Sequence, residues 1–272
     1  MQLHGVRFTR MAIAGMAILG AASLYGADPK ELSEDRVNDV IQKFAAKESE
    51  FAKARELYTY KQTARIQTLD SSGATTGKWE TVSDIVFDSA GKRAEHVTYS
   101  PVSTLTEVTL TPEDMEDLRS TQPFVLTSEE LPKYWVRYLG RQAVDEITTY
   151  VFAVKPKKPE PGQRYFSGEV WVDDRDLQIV KSYGRGVGAN RKKGSEDYPK
   201  FETYREQIDG KYWFPTYTTA NSTLHFKDYD VRLKETVRYE DYKQFKAQST
   251  ITYEATPDDK NQPGSAAPAK KP

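Results

Sequence analysis

Three aspartates lie within four positions of the segment YFSGEVWVDDRDLQIVKSYGRG, as Asp173-Asp174-Arg175-Asp176. Clustered carboxylates can bind Ca²⁺ or act as the acid pair of a hydrolase. A calcium loop places acidic or amide residues at alternate positions, whereas the letters that follow Asp176 are LQI. Apolar runs flank the acids on both sides, and Asp favours turns between strands because its carboxylate accepts bonds from nearby backbone amides. We therefore predict a hairpin turn here, and neither a metal site nor a catalytic residue.

Other residue types that carry chemistry are sparse. The 272-residue chain has no cysteine, which excludes disulfides, thiolate metal ligands and cysteine nucleophiles. Of its three histidines, His4 is near the N-terminus, and His96 and His225 are each isolated in an alternating run. The serine of YFSGE lacks the GxSxG pattern, and the glycines of YGRGVGAN lack the strand-to-helix context of a phosphate loop. We expect no metal, no cofactor and no catalytic residue.

Residues 1–27 have the pattern of a secretion signal, with Arg7 and Arg10 before an apolar run and small residues after it. The run is shorter than the roughly 20 residues of a membrane-spanning helix. We place cleavage between Ala22 and Ala27, and we expect a periplasmic protein that is not a lipoprotein, because no cysteine can be acylated. The leader removes two of 39 basic and none of 40 acidic residues, leaving 37 minus 40, or about −3. That weak charge predicts no nucleic-acid partner.

The hydrophobic pattern predicts one helix followed by many strands. Between residues 31 and 56 apolar residues recur every three or four positions, which is typical of an amphipathic helix. From Tyr58 onward the pattern alternates, and a short helix interrupts it at residues 112–120. The fold class is therefore mainly β (α+β): a single large, strongly curved antiparallel sheet, an open half-barrel, with an N-terminal amphipathic helix and a short mid-chain helix. The expected strands include residues 103–110 and 248–254.

The chain divides into a signal peptide at 1–27, one curved-sheet domain at 28–255 and a tail at 256–272. The tail contains no apolar residue larger than alanine, and such a composition predicts disorder. The glycine-rich and basic stretch from Gly184 to Lys200 predicts a flexible segment inside the domain.

This layout resembles the superfamily of periplasmic lipoprotein carriers and lipid-binding proteins typified by LolA, LolB and LppX, often called outer membrane lipoprotein-sorting proteins. The resemblance covers roughly residues 32–254, and its most specific segment is the Gly168 to Tyr183 hairpin. The tract GKYWFPTYTTA, from Gly210 to Ala220, is similar to the strands that follow in that family. The resemblance implies a curved, incompletely closed sheet that wraps around helices and holds acyl chains in an apolar cavity.

The resemblance further implies that the chain is a non-catalytic carrier for lipid or for the acyl chains of lipoproteins, with a possible inner- or outer-membrane protein as partner. Strand parity groups apolar residues by face and supplies candidate ligand-lining positions: Trp79, Ile85, Phe87, Phe152, Val154, Val170 and Val172. Tyr and Trp suit a site with one apolar and one wet side.

Two other function classes stay open. One is an envelope-stress sensing or interaction module of the same fold, which predicts a small cavity and an exposed apolar patch. The other is a hydrolase that assembles carboxylates from separate strands, which predicts buried carboxylates with shifted pKa values in a cleft. A carrier predicts a sizeable, continuous apolar cavity.

Overall fold

The computed structural model describes residues 32–188 and 199–245. The predicted signal peptide, the predicted strand at 248–254 and the predicted tail lie outside these residues. So does the middle of the glycine-rich segment, residues 189–198. Within the two described ranges, no helix has the length and apolar character needed to cross a membrane.

The predicted N-terminal helix is confirmed as α1, Glu34–Arg55. Ser33 caps it by accepting a hydrogen bond from the Arg36 backbone N–H at 3.3 Å, which satisfies one of the free amides of the first turn. Acidic residues in the first turn and basic residues in the last turn complement the helix dipole. One face of α1 is buried, through Val40, Ile41, Phe44, Ala45, Glu48 and Phe51.

The strands of the described chain form one antiparallel sheet of ten strands that does not close. The predicted fold class is thereby confirmed. The strand order is β3-β2-β1-β10-β9-β8-β7-β6-β5-β4, so that β3 and β4 form the two edges. The strands are β1 (Tyr58–Leu69), β2 (Thr75–Phe87), β3 (Arg93–Tyr99), β4 (Tyr134–Val144), β5 (Ile147–Pro156), β6 (Arg164–Asp173), β7 (Ile179–Gly188), β8 (Phe201–Gln207), β9 (Trp213–His225) and β10 (Asp230–Gln244).

Alternating burial gives the sheet an inner face, which the helices cover, and a more polar outer face. Strand β10 shows the pattern clearly, because Val231, Leu233, Glu235, Val237 and Tyr239 are all buried and their neighbours are mostly exposed. Helix α1 covers the half of the inner face nearest β4. The main core cluster joins Phe44 of α1 to Phe152, Val170, Ile179 and Phe201 of the sheet.

Residues 100–133, here called the crossing segment, connect the two edge strands and therefore pass over the inner face. The predicted mid-chain helix is present as α2, Pro112–Glu116, and continues into a π-helical turn, Asp117–Thr121. Thr111 and Asp114 form a reciprocal capping box at the start of α2. A 3₁₀ turn, Leu131–Lys133, leads into β4.

The predicted strand at residues 103–110 is wrong, because this stretch is irregular. Its apolar side chains Leu105, Val108 and Leu110 pack onto a cluster formed by β1, β9 and β10. Hydrogen bonds between this stretch and the backbone of β2 are confined to one residue pair, Thr104 and Lys78, so no strand pairing extends along that edge.

The prediction of a flexible segment from Gly184 is also wrong for its first part, because β7 extends to Gly188. The glycines there serve close packing. A side chain at Gly186 would collide with the carboxylate of Asp117 and the guanidinium of Arg164, so glycine is what lets that ion pair lie against β7.

Candidate functional site

A cavity of about 470 Å³ lies between the crossing segment and strands β1, β8, β9 and β10. We call it the inner-face cavity. Its volume falls within the roughly 300–1,000 Å³ of typical small-molecule sites. The apolar residues that line it come from both walls: Ile66, Val108, Leu110, Leu118, Phe201, Leu224, Phe226 and Leu233.

The apolar wall is a continuous cluster. Ile66, Leu224 and Leu233 are buried on the inner face, and Val108 and Leu110 of the crossing segment pack against them. Because the two walls belong to elements far apart in sequence, the cavity exists only when the crossing segment is seated on the sheet.

The rim of the cavity is aromatic and lies at the hairpin between β9 and β10. The rings of Phe226 and Tyr229 stack with centroids 4.6 Å apart and planes 7° from parallel. The Tyr229 hydroxyl donates to the backbone carbonyl of Glu107 across the rim at 3.5 Å. Tyr229 is 52% exposed while it lines the cavity, so the cavity opens to solvent on this side.

Of the polar residues that line the cavity, four are here called the acidic cluster: Asp114, Asp117, Gln122 and Glu235. Glu235 is 5% exposed, and its Oε1 accepts a hydrogen bond from Gln122 Nε2. Burial raises the pKa of Glu235 to about 7 because a carboxylate is poorly solvated there. The Gln122 bond opposes this shift, and the charges of Asp117 and Asp114 add to it.

The other two carboxylates of the acidic cluster have strong partners. Asp117 is ion-paired with the buried Arg164, whose Nε lies 2.9 Å from Asp117 Oδ1 and whose Nη2 donates to Oδ2. Burial raises the pKa of Asp117, and Arg164 opposes that change. Asp114 accepts bonds from the Thr111 amide at 2.7 Å and the Thr111 hydroxyl at 2.8 Å. Among the described residues, no Lys, Arg or His is ion-paired with Glu235.

The π-helical turn positions Gln122 over the sheet. The backbone N–H of Gln122 donates to the backbone carbonyl of Asp117 at 2.9 Å, which closes the wide turn. The Thr203 hydroxyl of β8 donates to the Gln122 carbonyl at 3.0 Å and lies 2.8 Å from the hydroxyl of Thr218 in β9. Turns of this wide type are frequent at functional sites.

The side-chain oxygen of Gln122 is a buried acceptor in the wall of the cavity. Gln122 is 2% exposed, and its Oε1 has no hydrogen-bond partner among the described residues. An unpaired buried acceptor is disfavoured by about 1–3 kcal/mol, and such groups are rare in folded proteins.

None of the seven predicted ligand-lining residues is among those that line the inner-face cavity. Phe152, Val154, Val170 and Val172 are at most 1% exposed, in the core beneath α1. Ile85 is fully buried on β2. Trp79 shares its face and is half-buried beside the clusters of Ile66 and Leu118, and Phe87 lines a separate groove near the end of α1. Their role as ligand contacts stays a prediction.

Sequence reasoning missed the acidic cluster, although one signal was present. Glu235 occupies an inward position of β10, in the odd-numbered row that otherwise reads Val, Leu, Val and Tyr. A glutamate in such a row must be buried, which calls for a partner or a function. Gln122 and Asp117 carry no comparable signal, because the π-helical turn that aims them has no clear sequence pattern.

A second buried acid has a structural role. Glu48 of α1 is fully buried and lies 3.2 Å from Arg205 Nη1 of β8, and it accepts the Ile179 amide at 3.0 Å. Arg205 also donates to the Phe124 carbonyl and lies over the Phe51 ring at 5.1 Å. This network ties α1, the crossing segment and the sheet together.

The turn at Asp173 is confirmed by its hydrogen bonds. Asp173 Oδ1 accepts the backbone amides of Arg175 at 2.7 Å and Asp176 at 3.2 Å, and Leu177 closes the turn with a φ of 55°. Asp176 Oδ2 accepts the indole N–H of Trp213 at 3.0 Å. Across residues 32–188 and 199–245, no group of three or more His, Cys, Asp or Glu side chains is arranged to hold a metal ion.

The two described histidines lie away from the cavity. His96 is exposed on the edge strand β3. His225 is exposed near the end of β9, and its Nδ1 lies 2.9 Å from Asp230 Oδ1. Neither ring contacts the acidic cluster.

Solved structures whose backbone follows a similar path include the following three proteins. A DUF1329 family protein from Desulfovibrio piger matches with a TM-score of 0.40 and 14% identity over 76% of this chain and 92% of that one. A domain assigned to outer membrane lipoprotein sorting, from Vibrio parahaemolyticus, matches with a TM-score of 0.35 and 13% identity over 76% and 93%. A LolA superfamily protein from Nitrosomonas europaea matches with a TM-score of 0.32 and 12% identity over 75% and 94%.

No family model matches the chain, and no curated protein matches it. The structural matches carry names of the kind that the sequence resemblance implies. Their low identities and TM-scores leave the function to be argued from the residues of this chain.

Proposed function

We propose that this chain is a non-catalytic periplasmic binding protein for lipid or lipoprotein acyl chains, in lipid transport or outer membrane lipoprotein sorting. The observation that supports the proposal is the inner-face cavity, with its apolar wall around Leu233 and its opening at Tyr229. The expected periplasmic location rests on the predicted signal peptide. A membrane protein that delivers or receives the ligand would be the partner.

Binding would be driven by removal of the chain from water. Each buried CH₂ contributes about 0.8 kcal/mol, which corresponds to about a fourfold change in Kd. Release would require the cavity to open. The weak contact between Tyr229 and the Glu107 carbonyl, at 3.5 Å, is the bond across the rim that opening would break.

The test is calorimetric titration with primary alcohols of increasing chain length, such as 1-hexanol, 1-octanol and 1-decanol. We expect the Kd to fall by about fourfold per added CH₂ until the cavity is full. A Kd that does not depend on chain length would contradict burial of the chain in an apolar cavity.

A cavity-filling variant locates the binding. Val108 lines the cavity from the crossing segment, so Val108→Trp should weaken 1-decanol binding by about tenfold or more, a loss of at least about 1.4 kcal/mol. Val102→Trp is the matched control, because Val102 is on the same segment, is 92% exposed and does not line the cavity. Equal binding by both variants would place the ligand elsewhere. Thermal unfolding of each variant establishes that it is folded.

A hydrolase is a second candidate, and Glu235 is the observation that favours it. A carboxyl with a pKa near 7 in a cavity is suited to general acid or base catalysis. However, Asp117 is ion-paired with Arg164 and Asp114 caps α2, so neither is free to act as a second acid. Ester hydrolysis that disappears in Glu235→Gln would favour this candidate.

An interaction module is the third candidate, and the edge strand β3 favours it. Val97 is 51% exposed, Tyr99 is 53% exposed and Val102 follows on the surface. An open edge with exposed apolar side chains can pair with an added strand. Capture of a membrane protein by the wild-type chain, with loss of capture in Val97→Lys, would favour this candidate.

A further inference from the structure

The lining of the inner-face cavity is asymmetric in charge. It contains four carboxylates, those of Glu107, Asp114, Asp117 and Glu235, and among the described residues it contains no Lys, Arg or His. Arg164, which does not line the cavity, neutralises Asp117 through an ion pair. The described part of the lining therefore carries an excess of negative charge and of hydrogen-bond acceptors.

Two acceptor oxygens of the acidic cluster, Gln122 Oε1 and the second carboxylate oxygen of Glu235, receive no hydrogen bond from the described residues. Gln122 Oε1 has no hydrogen-bond partner among the described residues, and Gln122 donates to one oxygen of Glu235, Oε1. Turning the Gln122 amide over would not relieve the mismatch. It would place the Gln122 oxygen against the ionised Glu235 carboxylate, and in either protonation state of Glu235 it would leave the amide nitrogen without a partner.

A ligand that donates hydrogen bonds would satisfy these acceptors, whereas a carboxylate or phosphate would add repulsion and no donor. The apolar wall around Leu233 would hold the hydrocarbon part of the same ligand, because Leu233 and Glu235 occupy adjacent inward positions of β10. We propose that the inner-face cavity selects apolar ligands whose polar end is a hydrogen-bond donor, an amine or a hydroxyl group, and discriminates against free fatty acids.

This inference rests on the proposed function, since it names the ligand class of the same cavity. The donor end would contact Gln122 Oε1 and the Glu235 carboxylate. An ammonium group would gain most, because it offers three donors and a positive charge to an acidic cluster that is short of cations. A hydroxyl group would gain less, and a carboxylate would gain nothing there.

The test compares three ligands of one chain length, decylamine, 1-decanol and decanoate, by calorimetric titration of the full chain at about pH 8. At this pH the amine is cationic and most of Glu235 is ionised. We expect decylamine to bind at least about tenfold more tightly than decanoate, a factor that corresponds to about 1.4 kcal/mol. The Kd of 1-decanol should lie between the two.

Two isosteric variants distinguish the acidic cluster from general charge. Glu235→Gln should reduce the preference for decylamine over decanoate by about tenfold, the effect of losing one charge-assisted hydrogen bond, and should still bind 1-decanol. Asp84→Asn is the matched control, because Asp84 is exposed on β2 and does not line the cavity. It should preserve most of the preference.

The outcomes separate the two proposals. Decanoate binding as tightly as decylamine, together with binding of 1-decanol, would overturn the selectivity and leave the binding function intact. Failure of all three ligands to bind would overturn both. An equal loss of preference in Asp84→Asn and Glu235→Gln would show that surface charge, and not the acidic cluster, recognises the amine.

Discussion

Replacement of Glu235 by glutamine should stabilise the protein in a pH-dependent way. In the folded chain Glu235 has a pKa of about 7, compared with the ordinary value of 4.5. Between these pH values the folded chain binds more protons than the unfolded chain, so the free energy of unfolding falls as the pH rises. Each unit of pKa corresponds to about 1.4 kcal/mol, so the ionised Glu235 destabilises the folded state by about 3 kcal/mol above pH 7.

The surroundings of Glu235 explain why the penalty is not offset. Gln122 donates one hydrogen bond from the crossing segment, but Asp114 and Asp117 add negative charge from α2 and the π-helical turn. Arg164 is engaged by Asp117. Tyr239, two positions along the same face of β10, is buried, and its own pKa is raised by that burial.

The assay is urea unfolding of the wild type and of Glu235→Gln at about pH 5 and about pH 8. The variant should be close to the wild type at the lower pH, where Glu235 is neutral, and more stable by up to about 3 kcal/mol at the higher pH. Glu107→Gln controls for removal of a carboxylate from the exposed rim and should show no such gain. A stability difference between Glu235→Gln and wild type that is equal at both pH values would show that ionisation of Glu235 does not destabilise the folded state.

Three further changes test the supports of the site. Arg205→Met should destabilise the protein by about 3–5 kcal/mol in urea unfolding, because it leaves the buried Glu48 unpaired. Adding Glu48→Leu should recover most of that loss. Additive losses in the double variant would contradict the pairing of the two residues. Gly186→Ala should displace the ion-paired Asp117, and should therefore lower the melting temperature and weaken 1-decanol binding. An unchanged melting temperature would show that the π-helical turn that carries Asp117 adapts to the added methyl group. Asp174→Ala should decrease stability by at most about 1 kcal/mol and leave binding intact, because Asp174 contributes a long ion pair to a turn that Asp173 holds; loss of binding in a folded variant would show a role beyond the turn.

Local patterns in the sequence predicted the elements well. The three- and four-residue spacing of α1 and the two-residue alternation of the strands both report which side chains are buried, so helix and sheet could be predicted from them. The Asp173 turn was predictable for the same reason, since its hydrogen bonds lie within a few residues.

Contacts between distant parts of the chain were harder to predict from the sequence. The alternating letters of residues 103–110 predict a strand, but tertiary packing of Leu105, Val108 and Leu110 over β1, β9 and β10 overrides that preference. Parity correctly grouped Trp79 and Ile85 on one face, yet it could not show that α1 fills the half of the inner face over Phe152 and Val170. The cavity lies on the other half, and its position depends on where the crossing segment passes.

The ion pair between Glu48 and Arg205 was equally hard to predict from the sequence. Glu48 continues the helical stripe of Phe44 and Phe51, and Arg205 occupies an inward position of β8. Each is a polar residue in an apolar row, but their pairing joins positions 157 residues apart. Sequence alone could therefore mark each of them as unusual without showing that they neutralise one another.

The most direct test of the binding function is native mass spectrometry of the full chain, purified without detergent and extracted with organic solvent in parallel. We expect a non-covalent adduct whose extract contains a long-chain compound with an amine or hydroxyl group, and we expect Val108→Trp to carry less of it. An unliganded mass that does not change when 1-decanol is added would contradict the proposal that the inner-face cavity binds apolar ligands.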